Sequence, residues 1–261
     1  MSTILDTIAA HARQRVAADK LREPPEALMA RCTGPGRGQA FYDAVRREGL
    51  SFICEIKRAS PSRGLIDPAF DYLSIARDYA AAGADCVSCL TEPKWFLGSD
   101  GIFAEIRREI TLPMLRKDFT VDEYQLWQAK ALGADCVLLI CALHDAKTLA
   151  RRLELCNTLG LAALVEAHDA QEIDMAAAAG AKMIGVNNRN LRDFSVDFSN
   201  AARLRERIPP EALYVAESGV TGPADVEALR AIGADAVLVG EALMRAFDKT
   251  AALRALREAA Q

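Results

Sequence analysis

AAGADCVSCL, residues 81–90, is one of four similar segments in this 261-residue sequence. The other three are ALGADCVLLI at 131–140, AAGAKMIGVN at 178–187 and AIGADAVLVG at 231–240. Each begins as an Ala-rich helix end and continues through a Gly, which can adopt the left-handed conformation that closes many helices. A polar residue then leads into a β-branched run that is typical of a strand. Each segment therefore predicts a junction between a helix and a strand.

The four junctions lie about 50 residues apart, which is too long for one strand-helix unit and suitable for two. Short apolar strands are predicted between them, at 52–57, 113–117, 162–166 and 213–217. Eight strands alternating with helices over this length predict a single (β/α)8 TIM barrel. Two doubly wound domains would more often carry a Gly-rich dinucleotide turn after the first strand, where this sequence has EIKRASPSRG.

Residues 1–49 are predicted to form an N-terminal helical extension, and residues 50–261 the catalytic barrel. Apolar residues recur at helical spacing near the start of the chain, at Ile4, Ile8, Ala12 and Val16. A loop rich in Pro and Gly follows them. We expect this extension to lie across one mouth of the barrel.

The composition argues against several classes of protein. The chain has 32 Lys and Arg against 36 Asp and Glu, a net charge of −4, and no basic stripe interleaved with aromatic residues, so nucleic-acid binding has little support. The longest apolar run, 136–143, is well short of the roughly 18 residues that suggest a membrane span. The first residues lack the cationic start and apolar block of a secretory signal. A cytoplasmic protein is expected.

The seven cysteines are an odd number, scattered through strand-like runs, and are typical of a reduced compartment. Cys86 and Cys89 have the spacing of a zinc knuckle. However, residues three apart on a strand face opposite sides of the sheet. We therefore expect buried thiols that pack as small hydrophobic groups, and no metal site.

Polar side chains gather at the predicted carboxyl ends of five strands, the end at which TIM barrels carry out their chemistry. They are Glu55 and Lys57 on the first strand, Lys117 on the third, Glu166 on the fifth, Asn187 followed by Arg189 on the sixth, and Glu217 with Ser218 on the seventh. Any one of them alone could be an ordinary solvated strand end. Together they would be costly to bury unless paired, so they indicate a catalytic or anion-binding charge network.

The ends of the seventh and eighth strands suggest a phosphate site. Ser218 with Gly219, and Gly240 with Glu241, lead into helices, and in TIM barrels these loops commonly direct backbone N–H groups at a phosphate. The alternative is a pair of ordinary turn glycines. The carboxylate of Glu241 would repel a phosphate unless its side chain turns away, so only its N–H group would help.

Seven motifs together resemble the indole-3-glycerol phosphate synthase family over essentially the whole barrel. They are FICEIKRASPSRGLI (52–66), LTEPKWFLGS (90–99), LPMLRKDFTVDEYQ (112–125), ALVEAHD (163–169), IGVNNRNL (184–191), VAESGV (215–220) and VLVGEALM (237–244). The resemblance implies a carboxy-lyase of tryptophan biosynthesis that needs no cofactor or metal. It would convert 1-(2-carboxyphenylamino)-1-deoxyribulose 5-phosphate to indole-3-glycerol phosphate, with loss of carbon dioxide and water.

The resemblance also implies roles for single residues. Lys117 matches the general acid that protonates the ketone oxygen during ring closure, with Glu55 as a candidate neighbour that keeps it charged. Glu166 matches the base that restores aromaticity. Either Lys57 or Lys117 would be the acid of the dehydration step, and Lys57 could instead pair with the phosphate.

Further positions match substrate contacts of the family. Asn187, counted with the catalytic residues, lies with Ser60 and Arg189 at positions that hold the anthranilate carboxylate and neighbouring groups, and Glu217 is a further substrate contact. The apolar wall for the ring corresponds to Phe96, Phe119, Leu138 and Leu191. The phosphate positions correspond to Ser218, Gly219, Gly240 and Glu241. Some relatives place Ser at position 241, and the hydroxyl contact of that Ser is absent here.

Two other functions fit parts of this pattern. A strand-end Lys could form an imine in a Schiff-base aldolase, and a non-catalytic phosphate-binding barrel could act as a scaffold. His168 and His144 are interpreted as loop or cap histidines, because the acid and base positions are already filled. The expected ligand is a small anionic sugar phosphate, and other tryptophan-pathway enzymes are candidate partners of a monomer or weak homo-oligomer.

Overall fold

The computed structural model describes residues 3–190 and 195–260. Eight parallel strands form a closed barrel, in which each strand pairs with the next and the first pairs with the last. The strands are β1 Ser51–Ile56, β2 Cys86–Leu90, β3 Met114–Lys117, β4 Cys136–Ile140, β5 Ala162–Ala167, β6 Met183–Asn187, β7 Leu213–Glu217 and β8 Ala236–Val239. The predicted TIM barrel is confirmed, and the predicted strands are displaced by one residue at most.

The described residues form twelve α-helices, three of them before β1 and nine after the strands. They are α1 Ile4–Arg22, α2 Pro25–Arg31, α3 Gly38–Val45, α4 Tyr72–Ala81, α5 Asp100–Glu109, α6 Tyr124–Leu132, α7 Ala146–Leu159, α8 Ala170–Ala178, α9 Ser199–Leu204, α10 Pro223–Ala231, α11 Glu241–Arg245 and α12 Lys249–Ala259. Side-chain oxygens cap several of them, because they accept backbone N–H groups of the first turn. Asp145 does so for α7 and Asp169 for α8.

The first glycine of each of the four repeated segments lies at the junction predicted for it. Gly83, Gly133, Gly180 and Gly233 have φ values of 91°, 80°, 83° and 71°. Residues with a Cβ rarely adopt this left-handed region, so glycine lets the chain leave the helix and turn into the next strand. These four positions explain why the repeat is visible in the sequence.

The strands separate two layers of apolar packing. On β4, Cys136, Leu138 and Ile140 belong to the cluster inside the barrel, whereas Val137 and Leu139 pack against the surrounding helices. Cys86 and Cys89 divide in the same way between the inner and outer clusters, as their spacing on a strand predicted. All seven cysteines are free thiols.

Neither a metal-binding group nor a membrane-spanning helix is found in the part of the chain that the structure describes. No group of three or more His, Cys, Asp or Glu residues there could hold a metal ion. Within the same residues, no helix is both long and apolar enough to cross a bilayer.

The helices before β1 cover both ends of the barrel, whereas the sequence predicted a cover over one mouth. Helix α1 lies over the carboxyl end, where Leu5 and Ile8 line a cavity. Helix α3 closes the other end, where Phe41 and Tyr42 join the inner cluster. The N–H of Ala163 donates a hydrogen bond of 3.1 Å to the Tyr42 hydroxyl, which fixes α3 to β5.

We expect Phe41→Ala to lower the free energy of unfolding by about 3–5 kcal/mol, because it would leave a cavity in the base of the barrel. Phe41 is fully buried. Urea unfolding followed by circular dichroism would measure the change. Leu21→Ala is the control, because Leu21 lies in α1 and is 88% exposed, so its removal should change stability by less than about 0.5 kcal/mol. Equal effects of the two substitutions would contradict the packing role of α3.

Candidate active site

A cavity of about 460 Å³ opens at the carboxyl ends of the strands. All fifteen of the described residues that the sequence predicted for the site line this cavity. These are Glu55, Lys57, Ser60, Phe96, Lys117, Phe119, Leu138, Glu166, Asn187, Arg189, Glu217, Ser218, Gly219, Gly240 and Glu241. Leu191 was also selected, and it lies outside the described residues.

Lys117 lies between two carboxylates. Its Nζ is 2.7 Å from Glu217 Oε2 and 3.8 Å from Glu55 Oε2. The sequence suggested Glu55 as the neighbour of Lys117, and the closer partner is Glu217. Burial alone would lower the pKa of Lys117, but the charges of Glu217, Glu55 and Glu166 outweigh it and raise this pKa above its ordinary value. Lys117 is therefore a cation near neutral pH.

Glu55 links the two ammonium groups of the site. Its Oε1 is 2.5 Å from Lys57 Nζ, and its other oxygen faces Lys117. Burial would raise the pKa of Glu55, but the two lysines outweigh burial and lower it. Glu55 is therefore ionised near neutral pH.

Glu217 is the carboxylate that the site holds least firmly in its charged form. Burial raises its pKa to about 7, the Lys117 ammonium opposes the rise, and the neighbouring Glu166 and Glu55 add to it. Its Oε1 is buried and has no hydrogen-bond partner among the described residues. A Cβ at Gly185 would lie only 2.2 Å from this oxygen, so the carboxylate fits because position 185 has no side chain.

Glu166 at the end of β5 is oriented by Asn187 at the end of β6. The Asn187 amide nitrogen donates a hydrogen bond of 3.0 Å to Glu166 Oε1, and the amide oxygen accepts the N–H of Arg189 at 2.9 Å. Both Glu166 and Asn187 are buried. Because the Asn187 amide is held on both sides, it fixes the direction in which Glu166 presents its carboxylate.

The predicted phosphate end of the cavity is built from unusual backbone. Ser218 has φ 65° and Gly219 has φ 96°, so two successive residues occupy the left-handed region. At Gly240 a Cβ would lie 2.5 Å from Glu55 Oε1 and 3.1 Å from Lys57 Nζ. Gly240 therefore makes room for the Glu55 and Lys57 pair.

The carboxylate of Glu241 is compensated by arginines. Its oxygens lie 2.9 Å from Arg63 Nε, 3.2 Å from Arg245 Nε and 3.7 Å from Arg189 Nη2. Sequence reasoning did not find Arg63 or Arg245. The position of Arg245 four residues after Glu241 on one helix was an available signal, whereas Arg63 lies 178 residues away along the chain.

Aromatic and aliphatic side chains form the opposite wall. The rings of Phe96 and Phe119 pack with their centroids 6.0 Å apart. Glu92, which is fully buried, accepts the backbone N–H groups of Lys94, Trp95 and Phe96 and so shapes the loop that carries Phe96. The sequence analysis missed Glu92, because nothing local distinguishes a buried loop carboxylate from a solvated one.

A TIM-barrel cavity with an apolar wall, two ammonium groups and three buried carboxylates defines an acid–base enzyme for a small anionic substrate. A family model described as indole-3-glycerol phosphate synthase matches residues 5–256. The chain therefore belongs to the indole-3-glycerol phosphate synthase family. Its reaction is that of this family, in which a carboxy-lyase of tryptophan biosynthesis forms indole-3-glycerol phosphate.

Curated relatives agree with this membership. An indole-3-glycerol phosphate synthase from Ruminiclostridium cellulolyticum is 53% identical over 221 residues, 85% of each chain. Another, from Lachnoclostridium phytofermentans, is 42% identical over 267 residues, 97% of this chain and 98% of the relative.

Solved structures with a similar fold include 3-hexulose-6-phosphate synthase from Salmonella typhimurium. It has a TM-score of 0.66 and 14% identity, and the match covers 80% of this chain and 98% of that one. Thiamine phosphate pyrophosphorylase from Pyrococcus furiosus has a TM-score of 0.61 and 17% identity, with 83% of this chain and 97% of that one covered. At these identities the likeness shows the shared fold alone.

We expect Gly185→Ala to lower kcat by roughly 10- to 100-fold, because displacing a reacting group by about 1 Å can cost that much. The added methyl group would push the Glu217 carboxylate away from Lys117. Steady-state kinetics would measure kcat and KM, and KM should change less.

A Glu217→Ala background provides the control for this prediction. With no carboxylate to displace, the Gly185→Ala change should have little further effect, and the double-mutant cycle should reveal coupling. An equal loss in both backgrounds would contradict the prediction. It would point to Leu164, whose Cδ1 would lie 3.1 Å from the same Cβ.

Proposed function

We propose that the cavity closes the indole ring of 1-(2-carboxyphenylamino)-1-deoxyribulose 5-phosphate by general acid and base catalysis. The observation that carries this assignment is the Lys117 ammonium, which has 13% of its side chain exposed and lies 2.7 Å from a Glu217 oxygen. Ring closure requires an aromatic carbon to attack a ketone, whose oxygen must gain a proton as the bond forms. A cation held at the cavity by carboxylates can supply that proton.

The same cation argues against a Schiff-base aldolase. An imine forms only from a neutral amine, and the carboxylates around Lys117 raise its pKa. The buried charges also argue against a non-catalytic barrel. Burying several ionised groups costs stability, and a barrel that only binds phosphate would have no reaction that requires them. Both alternatives are therefore weaker than acid–base catalysis.

Glu166 is our candidate for the base that removes the last proton. After decarboxylation, the hydroxyl group must leave as water with a proton from Lys57 or Lys117, and a ring proton must be removed so that the new ring becomes aromatic. Because this dehydration is completed only when the ring proton is removed, a defective base should leave the hydroxylated compound behind. Glu166 is buried, and its Oε1 accepts the hydrogen bond from Asn187. This contact supports a fixed direction of attack, with the other carboxylate oxygen left for the substrate proton.

Lys57 and the loops after β7 and β8 are our candidates for the phosphate contacts. The Lys57 ammonium lies beside Gly240 and contributes a positive charge there. Backbone N–H groups of Ser218, Gly219 and Gly240 would face the phosphate. The arginines around Glu241 offset its carboxylate, so only its N–H group need act on the ligand.

The same proposal includes the setting in which the enzyme works. We infer a cytoplasmic enzyme, which agrees with seven free thiols, acting as a monomer or weak homo-oligomer beside other tryptophan-pathway enzymes. Its ligand is an anionic sugar phosphate and not a nucleic acid or a membrane. We assign residues 1–49 to a helical extension and 50–261 to the catalytic barrel.

Lys117→Met should lower kcat by at least about 10²-fold, the usual range for loss of general acid catalysis, with a smaller effect on KM. The assay follows formation of indole-3-glycerol phosphate from the carboxyphenylamino sugar phosphate. Lys182→Met is the matched control, because Lys182 is exposed and precedes the opposite end of β6. Absence of product with the unmodified protein would contradict the proposed function. Turnover of Lys117→Met at the unmodified rate would contradict only the role of Lys117.

Glu166→Gln should slow the final proton removal by a similar factor while ring closure continues. Gln keeps an acceptor for Asn187 but cannot take up a proton. Quenched single-turnover samples analysed by mass spectrometry should then contain a decarboxylated intermediate that still carries its hydroxyl group. Samples that contain only substrate and product would show that Glu166 has another role.

A further inference from the structure

His168 contacts the proposed base, although the sequence suggested a loop or cap histidine. It follows the end of β5, and its Nε2 lies 3.4 Å from Glu166 Oε1. On its other side, Nδ1 lies 3.2 Å from Glu172 Oε2 on α8. The same Glu172 oxygen accepts the backbone N–H of His168 at 2.7 Å. The ring is therefore held between two carboxylates, of which one is the base and the other anchors the ring.

The hydrogen-bonding chemistry of these groups fixes where protons lie on the ring. A carboxylate only accepts hydrogen bonds, so Nδ1 carries a hydrogen that points at Glu172. Nε2 is buried and has no hydrogen-bond partner among the described residues. If Nε2 were bare, two lone pairs would face each other across the gap to Glu166. A proton on Nε2 removes this repulsion and turns the 3.4 Å contact into a charge pair.

The surrounding charges favour the protonated form of the imidazole. Burial would lower the pKa of His168, but Glu172 on α8, Glu166 on β5 and Glu217 on β7 raise it above its ordinary value. In the cavity, the ammonium groups of Lys57 and Lys117 pair with the carboxylates of Glu55 and Glu217. Among the described residues, neither lysine lies within 4 Å of the Glu166 carboxylate, and the imidazolium supplies a cation there.

We propose that His168, anchored by Glu172, is a positioning residue that places a positive charge beside Glu166 and helps to direct its carboxylate for removing the substrate proton. This inference rests on the proposed role of Glu166 as the base. His168 acts through Glu166, because Asn187 and His168 both contact Oε1 and leave the other oxygen for the substrate. The consequence is a base whose negative charge is offset by a neighbouring cation that the substrate does not have to supply.

His168→Gln tests the charge of His168, because Gln keeps a polar side chain of similar reach but carries no charge. Without the imidazolium, the Glu166 carboxylate loses the positive charge beside it. The acid limb of the kcat–pH profile should therefore move to higher pH by about 1 unit or more. At a pH below the new limb, single-turnover samples should show a slower final proton removal and an unchanged ring closure.

His144→Gln is the matched control. His144 follows β4, contacts the Ile140 carbonyl and Arg152, and does not contact Glu166. Burial, with the Arg152 charge, lowers its pKa to about 4, so it is neutral at the pH of the assay. This control should not move the acid limb.

Glu172→Gln should move the acid limb in the same direction as His168→Gln, but by less. If His168→Gln does not fold, Glu172→Gln is the variant that tests the proposal.

An unchanged acid limb in folded His168→Gln, with at most a lower thermal midpoint, would overturn the proposal and leave His168 a structural role. So would an equal shift in His144→Gln. The assignment of Glu166 as the base is tested separately. If that assignment is wrong, the final proton removal in Glu166→Gln will proceed at the unmodified rate.

Discussion

The ion pair between Lys117 and Glu217, 2.7 Å long, is the interaction on which the site depends. Burying an ion costs several kcal/mol, and the cost is recovered only where opposite charges meet the group closely. Lys117 also lies near Glu55 on β1, which in turn holds Lys57, so the Lys117 ammonium offsets carboxylates on two other strands. Removing one partner would leave a charge buried alone, and the barrel must therefore hold all of these strands in register.

The barrel, and which residues line the site, could be predicted because both depend on short sequence patterns at the ends of helices and strands. Gly83 and Gly133 close helices by a backbone conformation that most residues avoid, so the junctions remain visible in the sequence. Parallel strands around a barrel share one end, so a polar residue after each strand must reach the same rim. Glu166 and Asn187 meet there, although 21 residues separate them.

The pairing within the site could not be predicted from the sequence. Whether Lys117 reaches Glu217 or Glu55 more closely depends on side-chain packing across the barrel, and no spacing in the chain encodes that distance. The approach of Arg63 to Glu241 likewise depends on how a loop after β1 folds back over the last strand. The closure of the barrel base by α3 was missed for a related reason, since Phe41 and Tyr42 bury themselves against residues far along the chain.

The two glycines beside the carboxylates, Gly185 and Gly240, matter for protein design. Gly185 faces Glu217 and Gly240 faces Glu55, and in each case a carboxylate oxygen occupies volume that any other residue would fill. Transplanting these charged residues into a different eight-stranded scaffold would therefore be insufficient. The recipient scaffold would also need free space at the two positions that face these carboxylates. A search that compares only functional groups would not detect this requirement.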